Sequence, residues 1–133
     1  MKAIRFLTVF LFAVSLVATP AAEPLRVFIR GGIKTHGPNQ HDHPRFLGDW
    51  TKLLGERGMK VDGAMGFPSA DQLAKTDVVV IYAADGMKIE GEQRASFEKF
   101  LQRGGGVVVI HDAVVSGQGS DNPNWTKEVI GGA

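Results

Sequence analysis

Four histidines in 133 residues fall in two places. His36, His41 and His43 lie in one polar stretch, Ile33 to His43. His111 follows the apolar run Val107-Val108-Val109-Ile110 and precedes Asp112. Imidazole is the side chain whose proton leaves near neutral pH, so such residues serve as general acids, general bases or metal ligands. His41-x-His43 with His111 makes a three-histidine set for Zn²⁺ or another divalent metal, with Asp42 or Asp112 orienting a ring. The spacing is also that of histidines without metal, and His43 could simply cap a helix beginning at Pro44. His111 could instead be an acid or base whose tautomer is held by Asp112 or Asp85. It could also bond a neighbouring loop backbone and do no chemistry. Nucleophilic catalysis lacks its residues: there is no cysteine and no Gly-x-Ser-x-Gly.

The surrounding elements decide whether these groups can meet. Leu25–Arg30 is an apolar strand ended by Gly31-Gly32. The loop after it is long for a strand-to-helix connection, and such loops are often functional. Pro44 opens a helix with Phe46, Leu47, Trp50, Leu53 and Leu54 on one apolar stripe, ended by Gly58. Met59–Asp62 is a weak second strand. Ser69 caps a short helix. Val78–Ala83 is a third strand, followed by the turn Ala84-Asp85-Gly86. Glu90–Arg103 is an amphipathic helix with Phe97, Phe100 and Leu101 inward and Gly104 at its end. Val107–Ile110 is the fourth strand, and Asn124 or Trp125 begins a last helical turn. The runs 78–83 and 107–110 lack polar alternation, as fully buried central strands do.

Strands alternating with helices predict an α/β fold: a three-layer, doubly wound parallel sheet of flavodoxin-like arrangement. In such sheets ligands bind beyond the carboxyl ends of the strands. All four histidines, Asp85 and Asp112 then share one rim. Gly32 could let backbone N–H groups approach a ligand there, although a plain turn also explains it. Trp125 could stack on a sugar ring or anchor the last helix. These assignments make His111 and Asp112 the candidate catalytic pair. Gly32, His36, His41, His43 and Asp85 are candidate substrate-binding residues.

Composition narrows the class. Lys2 and Arg5, the apolar run Phe6–Val17 and the small residues around Thr19-Pro20-Ala21-Ala22 read as a secretory signal peptide, residues 1–21. Export to the periplasm or outside is the expectation, with no membrane attachment after cleavage. The remainder, residues 22–133, is enough for one domain. Without Lys2 and Arg5 it carries 13 basic and 14 acidic residues, no electrostatic footprint for nucleic acid. With no cysteine, the core alone must hold the fold.

The run Gly104-Gly105-Gly106-Val107-Val108-Val109-Ile110-His111-Asp112-Ala113 resembles the trehalose-utilisation (ThuA-like) family, as do His41-Asp42-His43-Pro44 and Asn124-Trp125…Val129-Ile130-Gly131-Gly132. The likeness runs from about Leu25 to the end, and the glycine-rich strand followed by histidine is its most specific part. It implies a class I glutamine-amidotransferase-like fold. In those amidotransferases this strand ends in a nucleophilic cysteine at a sharp elbow; here His111 stands in that position. Without a thiol, glutamine hydrolysis through a thioester is excluded. The family's association with sugar metabolism implies a small carbohydrate ligand, acted on by an enzyme, held by a non-catalytic binding module, or cleaved by a metal-dependent hydrolase. Family domains usually run longer, so the chain is expected to be truncated at its C-terminus, without further strands and site residues.

Overall fold

The computed structural model describes residues 22–115 and 123–131; the predicted signal peptide lies outside them. The elements are β1 (Arg26–Gly31), α1 (His43–Gly55), β2 (Lys60–Ala64), α2 (Ala70–Ala74), β3 (Val78–Tyr82), α3 (Gly91–Gln102), β4 (Gly106–Val109), α4 (Asp112–Val115) and α5 (Pro123–Ile130). All strand pairs are parallel and the order is β2-β1-β3-β4, the flavodoxin-like order. Among the described residues no helix is long and apolar enough to cross a membrane.

Alternation along each strand sends neighbouring side chains to opposite faces, and both faces here are apolar. Phe28, Val79 and Ile81 point to one side, against Leu73, Met87, Ile89, Phe97 and Phe100. Val27, Ile29 and Val80 point to the other, against Phe46, Leu47 and Leu54 of α1. The fold is therefore three layers.

Local chemistry sets the boundaries. Asp42, not His43, caps α1: its Oδ1 accepts from the Arg45 N–H at 3.2 Å, and His43 is the first helical residue. That corrects the alternative in which His43 caps the helix. Ser69 and Gln72 form a reciprocal capping box on α2. Gly104 ends α3 with φ +90°, a conformation that glycine adopts without penalty.

Two burial expectations are corrected. β4 is the edge of the described sheet and Val108 is 47% exposed, because an apolar run reports strand propensity and not what covers it. Trp50 is 38% exposed and stacks on Phe46 at 5.0 Å, at the margin of the helix stripe rather than in the core.

β4 runs straight into an elbow. His111 has φ +53°, and α4 begins at the next residue. The left-handed conformation costs a non-glycine residue roughly 1–2 kcal/mol. A strand, a strained residue and an immediate helix make the geometry that exposes a reactive side chain above a parallel sheet. His41 (φ +43°) and Asn39 (φ +63°) share this conformation in the loop after β1.

At the opposite end of the sheet Asp77 ties the start of β3 to the start of β1. Its carboxylate accepts from the Arg26 backbone N–H at 2.9 Å and from the Arg26 guanidinium. The Arg26 hydrogen bonds hold the Asp77 carboxyl down at about 2, against an ordinary 3.8.

Two predictions follow from these contacts. A carboxyl whose pKa is depressed in the folded state stabilises above its unfolded value and loses that contribution as pH falls through the folded one. Asp77→Asn therefore lowers stability by on the order of 1 kcal/mol at neutral pH, and denaturant melts of variant and wild type converge as pH drops from 3.8 towards 2. His111→Gly relieves the elbow and raises stability by about 1 kcal/mol, whereas His111→Val lowers it, as thermal melts will show.

Candidate functional site

The described rim assembles around Asp112. Asp112 begins α4 and is mostly buried; His43 begins α1 and is fully buried. His43 Nε2 lies 3.1 Å from Asp112 Oδ2, a contact between residues 69 positions apart. The other ring nitrogen, Nδ1, lies 2.8 Å from the Ile33 carbonyl oxygen. A carbonyl only accepts, so His43 Nδ1 carries its hydrogen and donates it. Nε2 then either carries a second proton and pairs with the carboxylate, or presents a lone pair beside it.

His41 approaches the same carboxylate, with Nδ1 3.4 Å from Asp112 Oδ2. The pair is not aligned as a hydrogen bond, and His41 Nδ1 is buried without a hydrogen-bond partner among the described residues. Asp112 Oδ1 is likewise buried and without a partner among the described residues, with His111 Nδ1 3.8 Å away. Burial pushes the His41 pKa below its ordinary value. The neighbouring His36, His111 and His43 rings push the same way, and Asp112 opposes them.

The loop after β1 is bent to make this approach. Lys34 Nζ donates to the Gln40 carbonyl at 2.6 Å and lies 3.9 Å from Asp42 Oδ2. The His43 N–H bonds the His41 carbonyl at 3.0 Å. This closure places the His41 ring edge-on to both His36 and His111, with centroids 4.1 and 4.7 Å away. His36 Nδ1 lies 2.8 Å from the Thr35 hydroxyl. His111, its side chain 62% exposed, and His36 are the accessible members.

The structure thus gathers His36, His41, His43, His111 and Asp112. The three ligand-capable atoms that converge within 4.8 Å of one another belong to His41, His43 and Asp112. His111 was the expected third metal ligand; it stands beside that group instead, because the elbow turns its side chain outward and Asp112 inward.

Asp85 and Gly32 have other partners. Asp85 accepts from Arg30 Nη2 at 3.0 Å rather than bonding a histidine among the described residues. A side chain on Gly32 would meet Ala83 Cβ at 2.7 Å, so close packing of β1 on the segment after β3 accounts for the glycine. The Trp125 side chain lies outside the described residues.

Two residues near the rim escape sequence reasoning. Tyr82 ends β3 and packs its ring edge-on to His43, with centroids 4.5 Å apart. Its pKa is raised by burial first, then by Asp112 and Asp42. Arg30 lies near the end of β1 with its side chain only 7% exposed, and its Nε and Nη1 lack partners among the described residues. A charge inside LRVFIR could have been noticed, but its burial could not. A concavity of about 470 Å³ beside Arg26, Lys60 and Lys75 lies at the amino ends of the strands, away from the histidines.

Comparison with known proteins agrees with this frame. A family model described as trehalose utilisation, ThuA, matches residues 33–133. A solved structure of a ThuA-like protein from Bacteroides uniformis superimposes with a TM-score of 0.65 at 20% identity, over 86% of this chain and 47% of that one. At that identity the likeness concerns the fold, and the chain spans about half the length of that relative. No curated protein matches the chain. With the family match covering most of the sequence and the predicted parallel sheet observed, the chain belongs to the ThuA (trehalose-utilisation) family.

Proposed function

We propose that the chain acts on a sugar or sugar derivative at the histidine rim, as an exported protein of carbohydrate utilisation. The observation that carries this reading is the convergence of four histidines and Asp112 at the carboxyl ends of parallel strands. Those residues come from two segments nearly 70 positions apart in sequence.

The division of labour follows from burial. His43 is locked by Ile33, Tyr82 and Asp112 and serves to hold Asp112 in place. His111 is exposed on the elbow and is free to exchange a proton with a ligand hydroxyl. His36 and His41 flank it and offer ring nitrogens to further hydroxyls. A sugar presents several neighbouring hydroxyls that both donate and accept, and imidazole nitrogens do the same. The family's description as trehalose utilisation supports a saccharide as the ligand class. The apolar, small-residue N-terminus supports export.

The test is a saccharide panel, trehalose included, read by calorimetry for binding and by NMR for product. His111→Asn suits the elbow, since asparagine tolerates positive φ. Loss of a general acid or base is expected to lower turnover by about 10²–10⁴-fold with the circular dichroism spectrum retained. Turnover equal to wild type would refute the role of His111. Binding with no product over long incubation would replace the enzyme by a binding module.

A further inference from the structure

We propose that His41, His43 and Asp112 bind one divalent transition-metal ion, with Zn²⁺ the best match to the donor set. The ion would occupy the rim described above, so its role in turnover rests on that reading; the binding site itself does not.

The first argument is spacing. Ligands held roughly 2.0–2.1 Å from a tetrahedral ion stand about 3.3–3.4 Å from one another. His43 Nε2 and His41 Nδ1 lie 3.1 and 3.4 Å from Asp112 Oδ2, and all three atoms fall within 4.8 Å of each other. The two distances from Asp112 are close to those of ligands around one ion, and the two imidazoles would draw together on binding it. The His41 contact in particular makes no hydrogen bond that would otherwise explain it.

The second argument is the tautomer of His43. Donation of Nδ1–H to the Ile33 carbonyl leaves the Nε2 lone pair directed at Asp112 in the neutral ring. Two electron-pair donors facing each other at 3.1 Å repel unless a proton or a cation lies between them. Metal-bound histidines characteristically donate their other N–H to a backbone carbonyl or carboxylate, which is the arrangement here.

The third argument is the pair of orphans. His41 Nδ1 and Asp112 Oδ1 are buried polar atoms without hydrogen-bond partners among the described residues, and a buried polar atom left unsatisfied is unfavourable. A cation between them answers the His41 nitrogen directly and neutralises the carboxylate.

The donors select the ion. Two imidazoles and one carboxylate suit Zn²⁺, or Fe²⁺ in its facial two-histidine, one-carboxylate form; Mg²⁺ and Ca²⁺ take oxygen ligands. Three protein ligands would leave at least one position open, and His111 and His36 flank His41 beside the group. An ion there would polarise a ligand oxygen, while His111 carries the proton.

The experiment uses the full chain, freed of metal by a chelator and titrated with Zn²⁺, Fe²⁺ under anaerobic conditions and Mg²⁺, read by calorimetry and thermal melts. The expected result is one equivalent of Zn²⁺ or Fe²⁺, a melting temperature that rises and saturates at that ratio, and no comparable response to Mg²⁺. Asp112→Asn and His41→Ala, each retaining the wild-type circular dichroism spectrum, should bind the ion at least about tenfold more weakly. Absence of stoichiometric binding overturns the proposal, as does binding unchanged in both variants. Metal bound as expected without any saccharide response upholds the metal site and removes the sugar reading. Saccharide binding indifferent to chelation, in a chain that takes up no metal, does the reverse.

Discussion

The contact between His43 and Asp112 is the constraint around which the rim is built. β1 and β4 are not neighbours: β3 lies between them, and two strand spacings separate them by roughly 9–10 Å. No side chain from one strand end reaches the other directly. The chain solves this with two helix starts. His43 is the first residue of α1 and Asp112 the first of α4, and both lean over the carboxyl end of β3. For this to work the end of β3 must stay low. Ala83 supplies a small side chain there, and Gly32 supplies none, since a Cβ at residue 32 would strike Ala83 at 2.7 Å. Tyr82, one residue earlier, walls the site by packing against His43.

That construction stores unfavourable free energy beside the site. His41 and His111 are held in the left-handed region, and the His41 and Asp112 polar atoms there are buried without partners among the described residues. These sum to several kcal/mol on the magnitudes that apply to each. The offset lies in the core beneath, where Phe28, Phe97 and Phe100 are almost wholly buried and both sheet faces are covered. Strain that gathers on one rim of a well-packed domain, on residues able to carry protons or metal, marks where the fold serves function rather than stability.

The sequence made some of this legible. Val78–Tyr82 declares a buried parallel strand, and the glycine-rich approach to Val107 declares a strand, by composition alone. The Ser69/Gln72 box and Gly104 declare helix ends by chemistry that acts within four residues. The parallel topology then sends every strand end to one rim, which is why four histidines could be assigned to a common place. Tertiary facts were not legible. That Asp112 rather than His111 turns inward depends on the positive φ at residue 111, which no residue type dictates. That Val108 is half exposed depends on its being at the sheet edge. Arg30 is a visible charge in the first strand, but only the folded chain shows that its guanidinium is buried and paired with Asp85.

The central claim is that Asp112 unites His41 and His43 into one site. The most direct measurement is the imidazole ¹⁵N NMR spectrum of the full chain, wild type against Asp112→Asn. His43 is expected to carry its hydrogen on Nδ1, and the substitution to shift the His43 Nε2 and His41 Nδ1 signals together. Signals of both rings that do not respond to the change at residue 112, or a His43 protonated only at Nε2, would contradict that claim.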